Sequence, residues 1–187
     1  MVNTTASAPA ATAKAAGKGL RYPTGGMATR LVARDGGMRM MFDASALTKR
    51  YAAEPGRERV LALFGAASEL MVAAHCQTEV ASALLRRRRE GVLPPAEFER
   101  VWDAAQRDVA DMTRVPLDEH VERFAYAAME HGPLRSMDAL HIGSALVARV
   151  DLFVTADRRQ AQAARHLGLP TELVNGDPMP GAAMVTI

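Results

Sequence analysis

The sequence predicts an α/β domain: a mainly parallel sheet with helices on both faces. Three observations carry that expectation. Apolar runs of strand length at 38–42, 70–74 and 151–155 alternate with longer segments of helical period. Turn-forming residues punctuate the boundaries, at Pro55-Gly56, Gly91, Pro94-Pro95, Pro116 and Gly168. With 187 residues, 49% of them hydrophobic and 24% charged, the chain is long enough for one substantial core.

The elements follow in order. The run 38–42 ends at Asp43, and 44–53 then reads as a helix closed by Glu54-Pro55-Gly56. Residues 57–67 continue helical, 70–74 is a second strand, and 78–89 is a helix stopped by Gly91 and Pro94-Pro95. The segment 96–112 carries the apolar stripe Phe98, Val101, Trp102 and Val109, and a short extended piece, 113–115, precedes Pro116. Helices at 118–130 and 136–149, a strand at 151–155, a helix at 158–167 and a last strand at 171–174 complete the pattern. In such sheets ligands bind beyond the carboxyl ends of the strands.

One domain is therefore expected, over 38–176. Residues 1–37 are rich in Ala, Thr, Gly and Ser, hold Asp35 as their only acid, and lack a sustained apolar period or a secretory h-region. They read as a disordered leader, a tag or a start set too early, with a basic arm (Lys14, Lys18, Arg21, Arg30, Arg34) as the functional alternative. Residues 177–187 read as a short C-terminal tail. Charged or polar residues interrupt every hydrophobic segment before it reaches membrane-spanning length, so no membrane association is expected. Cys76 has no partner for a disulfide, which suits a reducing, cytoplasmic location. A net charge of +2 permits a polyanionic partner without requiring one.

The informative residues are acids. Asp43 directly follows the first strand and Asp157 lies just past the fourth, both at the expected ligand edge. Glu79 and Asp138 sit in the first turns of their helices. Each has a plain explanation as a cap or a helix-dipole partner, above all Asp157. Asp138 resists it, because His141, Ile142 and Ala145 share its helix face, and Glu79 likewise borders a buried side. Converging carboxylates repel by roughly 4 kcal/mol per pair at 4 Å and an effective dielectric of 20, a cost that a divalent cation removes. Hard oxygen ligands, with no nearby Cys or paired His, favour Mg²⁺ or Mn²⁺ over Zn²⁺. On this basis Asp138 and Glu79 carry more of the argument than Asp43 and Asp157.

Four segments resemble PIN domains, specifically toxins of the VapC type. Met41-Phe42-Asp43-Ala44-Ser45-Ala46-Leu47 is similar to the opening strand and first acid, and 75–84, around Glu79, to the second-acid helix. Residues 134–142, around Asp138, and 153–159, around Asp157, are similar to the third and fourth acidic segments, in the right order over 38–174. The resemblance implies a doubly wound sheet of five strands and an endoribonuclease held in check by a VapB-like antitoxin. It also implies Asp43, Glu79, Asp138 and Asp157 as a metal-binding catalytic cluster, a cation-activated water attacking phosphorus, and products with 5'-phosphate and 3'-hydroxyl ends. Dimerisation is a family expectation.

Around the acids, Ser45 and Thr155 are placed to orient Asp43, Asp157 or a water, with local capping as the plainer explanation. His141 reads as a core residue or a support for the site, and His75 and Cys76 as packing residues ending the second strand. Of the run Arg86 to Arg89, at most two can face one substrate, since consecutive helix residues point 100° apart. Arg135, Arg158 and Arg159 stand beside the acids as candidate RNA phosphate contacts. Few aromatics (5%) argue against a base-stacking platform. Two other classes compete: a non-catalytic binding module, and a phosphatase with Asp43 as nucleophile, for which Ser45 stands where a second Asp is wanted. The helices after Pro55 and Pro94 are the expected grip for an antitoxin, as their apolar stripes have little else to cover them.

Overall fold

The computed structural model of the chain describes residues 37–175, so the expected leader before Gly37 and the expected tail lie outside the described residues. In chain order the elements are β1 (Arg39–Phe42), α1 (Ala44–Tyr51), α2 (Arg57–Ala66), β2 (Glu69–Ala73), α3 (Cys76–Arg89) and α4 (Pro95–Ala110). They continue with β3 (Thr113–Val115), α5 (Glu119–Glu130), α6 (Ser136–Ala148), β4 (Leu152–Thr155), α7 (Arg158–His166) and β5 (Thr171–Leu173). Every expected element is present, and the differences are at the ends, where caps decide the boundary: α3 begins at Cys76 and α1 stops at Tyr51.

The strands pair in the order β3-β2-β1-β4-β5, and all four pairings are parallel. From β1 at the centre the chain winds outward to β2 and β3, then returns to build β4 and β5 on the other side. This is the doubly wound α/β arrangement, and its connections reverse between β1 and β4. The pleat sorts side chains to two cores. Met40, Phe42, Val72, Leu152 and Val154 face α1 to α4, meeting Leu47, Val60, Leu63, Val80, Leu84 and Phe98. Met41, Met71, Val115 and Phe153 face α5 to α7, meeting Val121, Ala125, Ile142, Ala145 and Leu167. Apolar residues at nearly every strand position are what a sheet covered on both faces requires.

Helices α5 and α6 pack closely through Gly143, where a Cβ would lie 2.4 Å from the Val121 carbonyl oxygen and 3.0 Å from the Ala125 nitrogen. Both obstacles are backbone, so relief needs the helices to separate. Gly143→Ala is expected to destabilise the domain by about 1–3 kcal/mol, read as a lower midpoint in urea unfolding. An unchanged midpoint would show that the helix pair gives way freely.

The open apolar stripes expected after Pro55 and Pro94 are not found. Val60 and Leu63 of α2, with Phe98, Ala105 and Val109 of α4, are buried in the first core, and Val101 and Trp102 pack against it. The sheet face and α3 cover what those helices offered. Among the described residues the exposed large apolar side chains are Leu85, Val92, Leu117, Tyr126, Met129 and Met137. No helix of the described residues is long and apolar enough to cross a membrane.

Candidate active site

The reversal point of the sheet places Asp43 at the centre of the site. It caps α1 by accepting from the Ala46 N–H at 2.7 Å, and its own N–H donates to the Val154 carbonyl at 3.0 Å, which fixes the end of β1 against β4. Its carboxylate is fully buried, at 0% exposure. The Ser45 hydroxyl lies 2.9 and 2.7 Å from its two oxygens, and Oδ2 accepts from the Thr155 hydroxyl at 2.8 Å and Gln160 Nε2 at 2.9 Å. Burial pushes this carboxyl above its ordinary value, against the pull of the His141 charge and of the hydrogen bonds from Ala46, Ser45 and Thr155.

The hydroxyls beside Asp43 also bind the chain. Ser45 Oγ accepts from the Ala156 N–H at 2.9 Å, and Thr155 Oγ1 accepts from the Asp157 N–H at 3.0 Å, so the loop after β4 is laced to the loop after β1. Asp157 caps α7, accepting from the Arg159 and Gln160 N–H groups at 2.7 and 3.3 Å. Gln160, from the first turn of α7, places its Nε2 between two acids, 2.9 Å from Asp43 and 3.3 Å from Asp138. Its Oε1 is buried without a partner. Burial raises the Asp138 carboxyl first, and the nearby negative charges of Asp157 and Glu79 raise it further. Like charges therefore face one another here.

Glu79 projects from the first turn of α3 toward two histidines. Its Oε2 is 2.5 Å from His141 Nε2 and 3.6 Å from His75 Nε2, and the two imidazole rings are in tilted contact with centroids 4.3 Å apart. Burial lifts the Glu79 carboxyl, but the His141 hydrogen bond and the charges of both histidines outweigh it and hold the carboxyl below its ordinary value. This corrects the expectation that no paired His lies near the acids. His75 sits in the turn before α3 with its Nε2 toward Glu79, behind the cleft lining, whereas Cys76 is a core residue as expected. Among the described residues, His75, Glu79 and His141 are the group of three potential metal ligands whose donor atoms all lie within 4.8 Å of one another. The four acids line one cleft without packing to that spacing.

The cleft has a volume of about 440 Å³, and its lining includes Asp43, Glu79, Asp138, Asp157, His141 and Gln160. Lys49, Arg86, Arg87 and Arg135 give it a cationic rim, part of which Glu54 in the same lining neutralises by pairing with Lys49 at 3.5 Å and with Arg87. Of the arginine run, only Arg86 and Arg87 reach the cleft, while Arg88 lies over the Phe98 ring, 5.0 Å from its centroid. Arg158 lines a separate hollow with Arg165 and His166, and Arg159 is 3.4 Å from Asp157 Oδ2, so neither joins Arg135 in the lining.

The model of one protein family, PIN: PIN domain, matches residues 40–166. This chain belongs to the PIN domain family. Solved structures agree on the fold. The protein PAE2754 of Pyrobaculum aerophilum is 19% identical with a TM-score of 0.54, covering 73% of this chain and 87% of its own. FitAcB of Neisseria gonorrhoeae is 12% identical with a TM-score of 0.51, over 71% and 95% of the two chains. Mycobacterium tuberculosis VapC20, described as a sarcin-ricin loop cleaving toxin, is 12% identical with a TM-score of 0.51, over 66% and 94%. No curated protein matches the chain by sequence.

The cleft of this PIN domain suits a divalent cation on the chemistry of its own donors. Burial and then the charges of Asp157 and Glu79 push Asp138 up, and a shared cation removes the repulsive part. The Gln160 amide nitrogen stands where a positive charge would be favoured, between Asp43 and Asp138. Rotation of that amide would turn its orphaned carbonyl oxygen, another hard donor, toward the same place.

Proposed function

We propose that this PIN domain is a metal-dependent endoribonuclease and the toxin of a toxin-antitoxin pair. The observation that carries the reading is an acidic floor whose carboxylates repel one another, set in a cleft with a cationic rim. That is the charge pattern a cation and a phosphodiester satisfy together. Asp43, Asp138 and Asp157, with Glu79, would hold Mg²⁺ or Mn²⁺ directly or through water. When bound, such an ion lowers the pKa of a coordinated water and screens phosphate charge.

The chain's own residues do the rest. Ser45 and Thr155 hold Asp43 in one orientation, and the Asp43 cap on α1 keeps it at the carboxyl edge of the sheet. Arg135 and Arg86 would receive backbone phosphates at the rim, and such contacts position a strand without reading its sequence. The products would carry 5'-phosphate and 3'-hydroxyl ends. A nucleophilic Asp43 is disfavoured, because both its oxygens are buried and already hydrogen-bonded. The toxin role, the cytoplasmic location and a VapB-like antitoxin partner rest on family membership and on the likeness to VapC20, which is described as a toxin.

One reading competes on a specific observation: with Gln160 wedged between Asp43 and Asp138, the fold could serve as a binding module alone. The deciding experiment is RNA cleavage by the purified chain. Cleavage is expected with Mg²⁺ or Mn²⁺ and is expected to vanish in excess EDTA. Undiminished cleavage in EDTA would overturn the metal mechanism, and no cleavage with either ion would favour the binding module.

A further inference from the structure

We propose that His75, Glu79 and His141 form a second cation site, suited to a borderline transition-metal dication such as Zn²⁺ and sharing Glu79 with the acid cluster. The three donors come from two elements that the fold brings together: His75 and Glu79 from the start of α3, and His141 from α6. His75 and Glu79 are four residues apart and share one helix face, an arrangement that sets two ligands side by side. All three donor atoms lie within 4.8 Å of one another, so a bound ion needs only small side-chain movements.

His75 is prepared for this role, whereas His141, whose Nδ1 is buried without a partner, would exchange the 2.5 Å hydrogen bond from Nε2 to Glu79 for the ion. His75 Nε2 is buried without a hydrogen-bond partner and lies 3.6 Å from Glu79 Oε2. With its proton on Nδ1, His75 would present the Nε2 lone pair to Glu79 and His141, as a histidine ligating through Nε2 does. His141 is 1% exposed and is locked among the packed residues of α6, whereas the Glu79 side chain, 28% exposed, faces the cleft and gives an entry path. Two nitrogens and one carboxylate with an open side are a ligand set typical of zinc and related ions, which accept imidazole readily. Mg²⁺ prefers oxygen donors and keeps its waters, so it has little reason to enter.

Sharing gives the site a consequence. Glu79 adds a negative charge to the neighbourhood of Asp138. An ion held by the histidines would neutralise that charge and draw the carboxylate toward them, weakening Mg²⁺ binding among the acids. Zn²⁺ would then act as an inhibitor of the Mg²⁺-supported reaction. This consequence rests on the proposed nuclease function, whereas the binding site itself does not.

The test uses the full chain, stripped of metal and titrated with Co²⁺ as a spectroscopic probe, then with Zn²⁺ in competition and by calorimetry. The wild type is expected to bind one ion with the visible absorption bands of low-coordinate Co²⁺ and to release Co²⁺ to Zn²⁺. His75→Ala should weaken Zn²⁺ binding by roughly 10- to 100-fold or more, the range that even supporting residues of metal sites command. His75→Gln serves if the alanine variant melts early. Asp157→Asn should leave the Zn²⁺ isotherm unchanged while weakening Mg²⁺ binding. The proposal is overturned if either His75 variant binds Zn²⁺ as the wild type does, or if Asp157→Asn costs as much Zn²⁺ affinity as His75→Ala. An inactive wild type with an intact Zn²⁺ isotherm would instead fail the nuclease reading alone.

Discussion

Asp43→Asn is expected to abolish RNA cleavage and, in metal-free buffer at neutral pH, to raise the melting temperature. Asp43 is fully buried, and burial holds its carboxyl above the ordinary value of 3.8 despite hydrogen bonds from Ala46, Ser45, Thr155 and Gln160. The ionised group is thus a net cost to the fold. A carboxyl whose folded value is raised contributes stability that is fully present below the unfolded value and is lost as pH rises through the folded value. The wild type bears that loss at neutral pH, and an uncharged amide does not. The Ala46 N–H can still be accepted by the new carbonyl oxygen, and the new NH₂ can meet the Gln160 Oε1, which now lacks a partner, if that amide turns over.

The gain should be on the order of 1 kcal/mol, or roughly 2–4 °C in a domain of this size. It should shrink as pH falls through the raised Asp43 value toward 3.8. Glu79 works in the opposite sense, since its lowered carboxyl contributes stability above 4.5 that is lost as pH falls through its folded value. The difference between variant and wild type isolates Asp43 from that background. Cleavage should fall by about 100-fold or more, because a ligand of the catalytic ion is worth several kcal/mol and each 1.36 kcal/mol is a factor of ten. Lower stability at pH 7 would show that the hydrogen bonds to the carboxylate outweigh its burial.

That trade-off was not legible in the sequence, and the reason is physical. An Asp after a strand and before a helix looks like a cap, and Asp43 is one. What makes it more than a cap is its depth, which Thr155 and Gln160 create from 112 and 117 residues away. Sequence reasoning gave Glu79 and Asp138 the greater weight from their helix faces, yet both are only half-buried. Gln160 went unnoticed because Asp157 and Gln160, at the N-cap and third helical position, read as an ordinary helix start. His75 was missed for a similar reason: its turn lies outside the helical period, so the four-residue spacing to Glu79 did not register as a shared face. The secondary structure was far more legible, because alternating strand-length apolar runs and well-placed Gly and Pro are local signals. Strand order is not local, but a parallel sheet covered on both faces leaves few arrangements.

Asp138→Asn should cost cleavage about as heavily as Asp43→Asn while leaving the melting temperature of the metal-free protein nearly unchanged. Two effects on stability oppose each other at this position. Removing the charge relieves the repulsion from Asp157 and Glu79 that helps to raise the Asp138 carboxyl. The same change takes an acid from the first turn of α6, where it complements the helix dipole by about 0.3–1 kcal/mol. The hydrogen bond from Gln160 Nε2 to Oδ1 can persist, since an amide oxygen accepts as well. The separating measurement is the shift in melting temperature on adding Mg²⁺. Saturating ligand at 100 times its Kd stabilises a fold by about 2.7 kcal/mol, and that shift should be present in the wild type and absent in the variant. Cleavage within about threefold of wild type, or an undiminished Mg²⁺ shift, would place the cation away from Asp138. In that event the repulsion among Asp138, Asp157 and Glu79 would need another partner to relieve it, and the cationic rim, with Arg135 at the start of α6, would be the place to look.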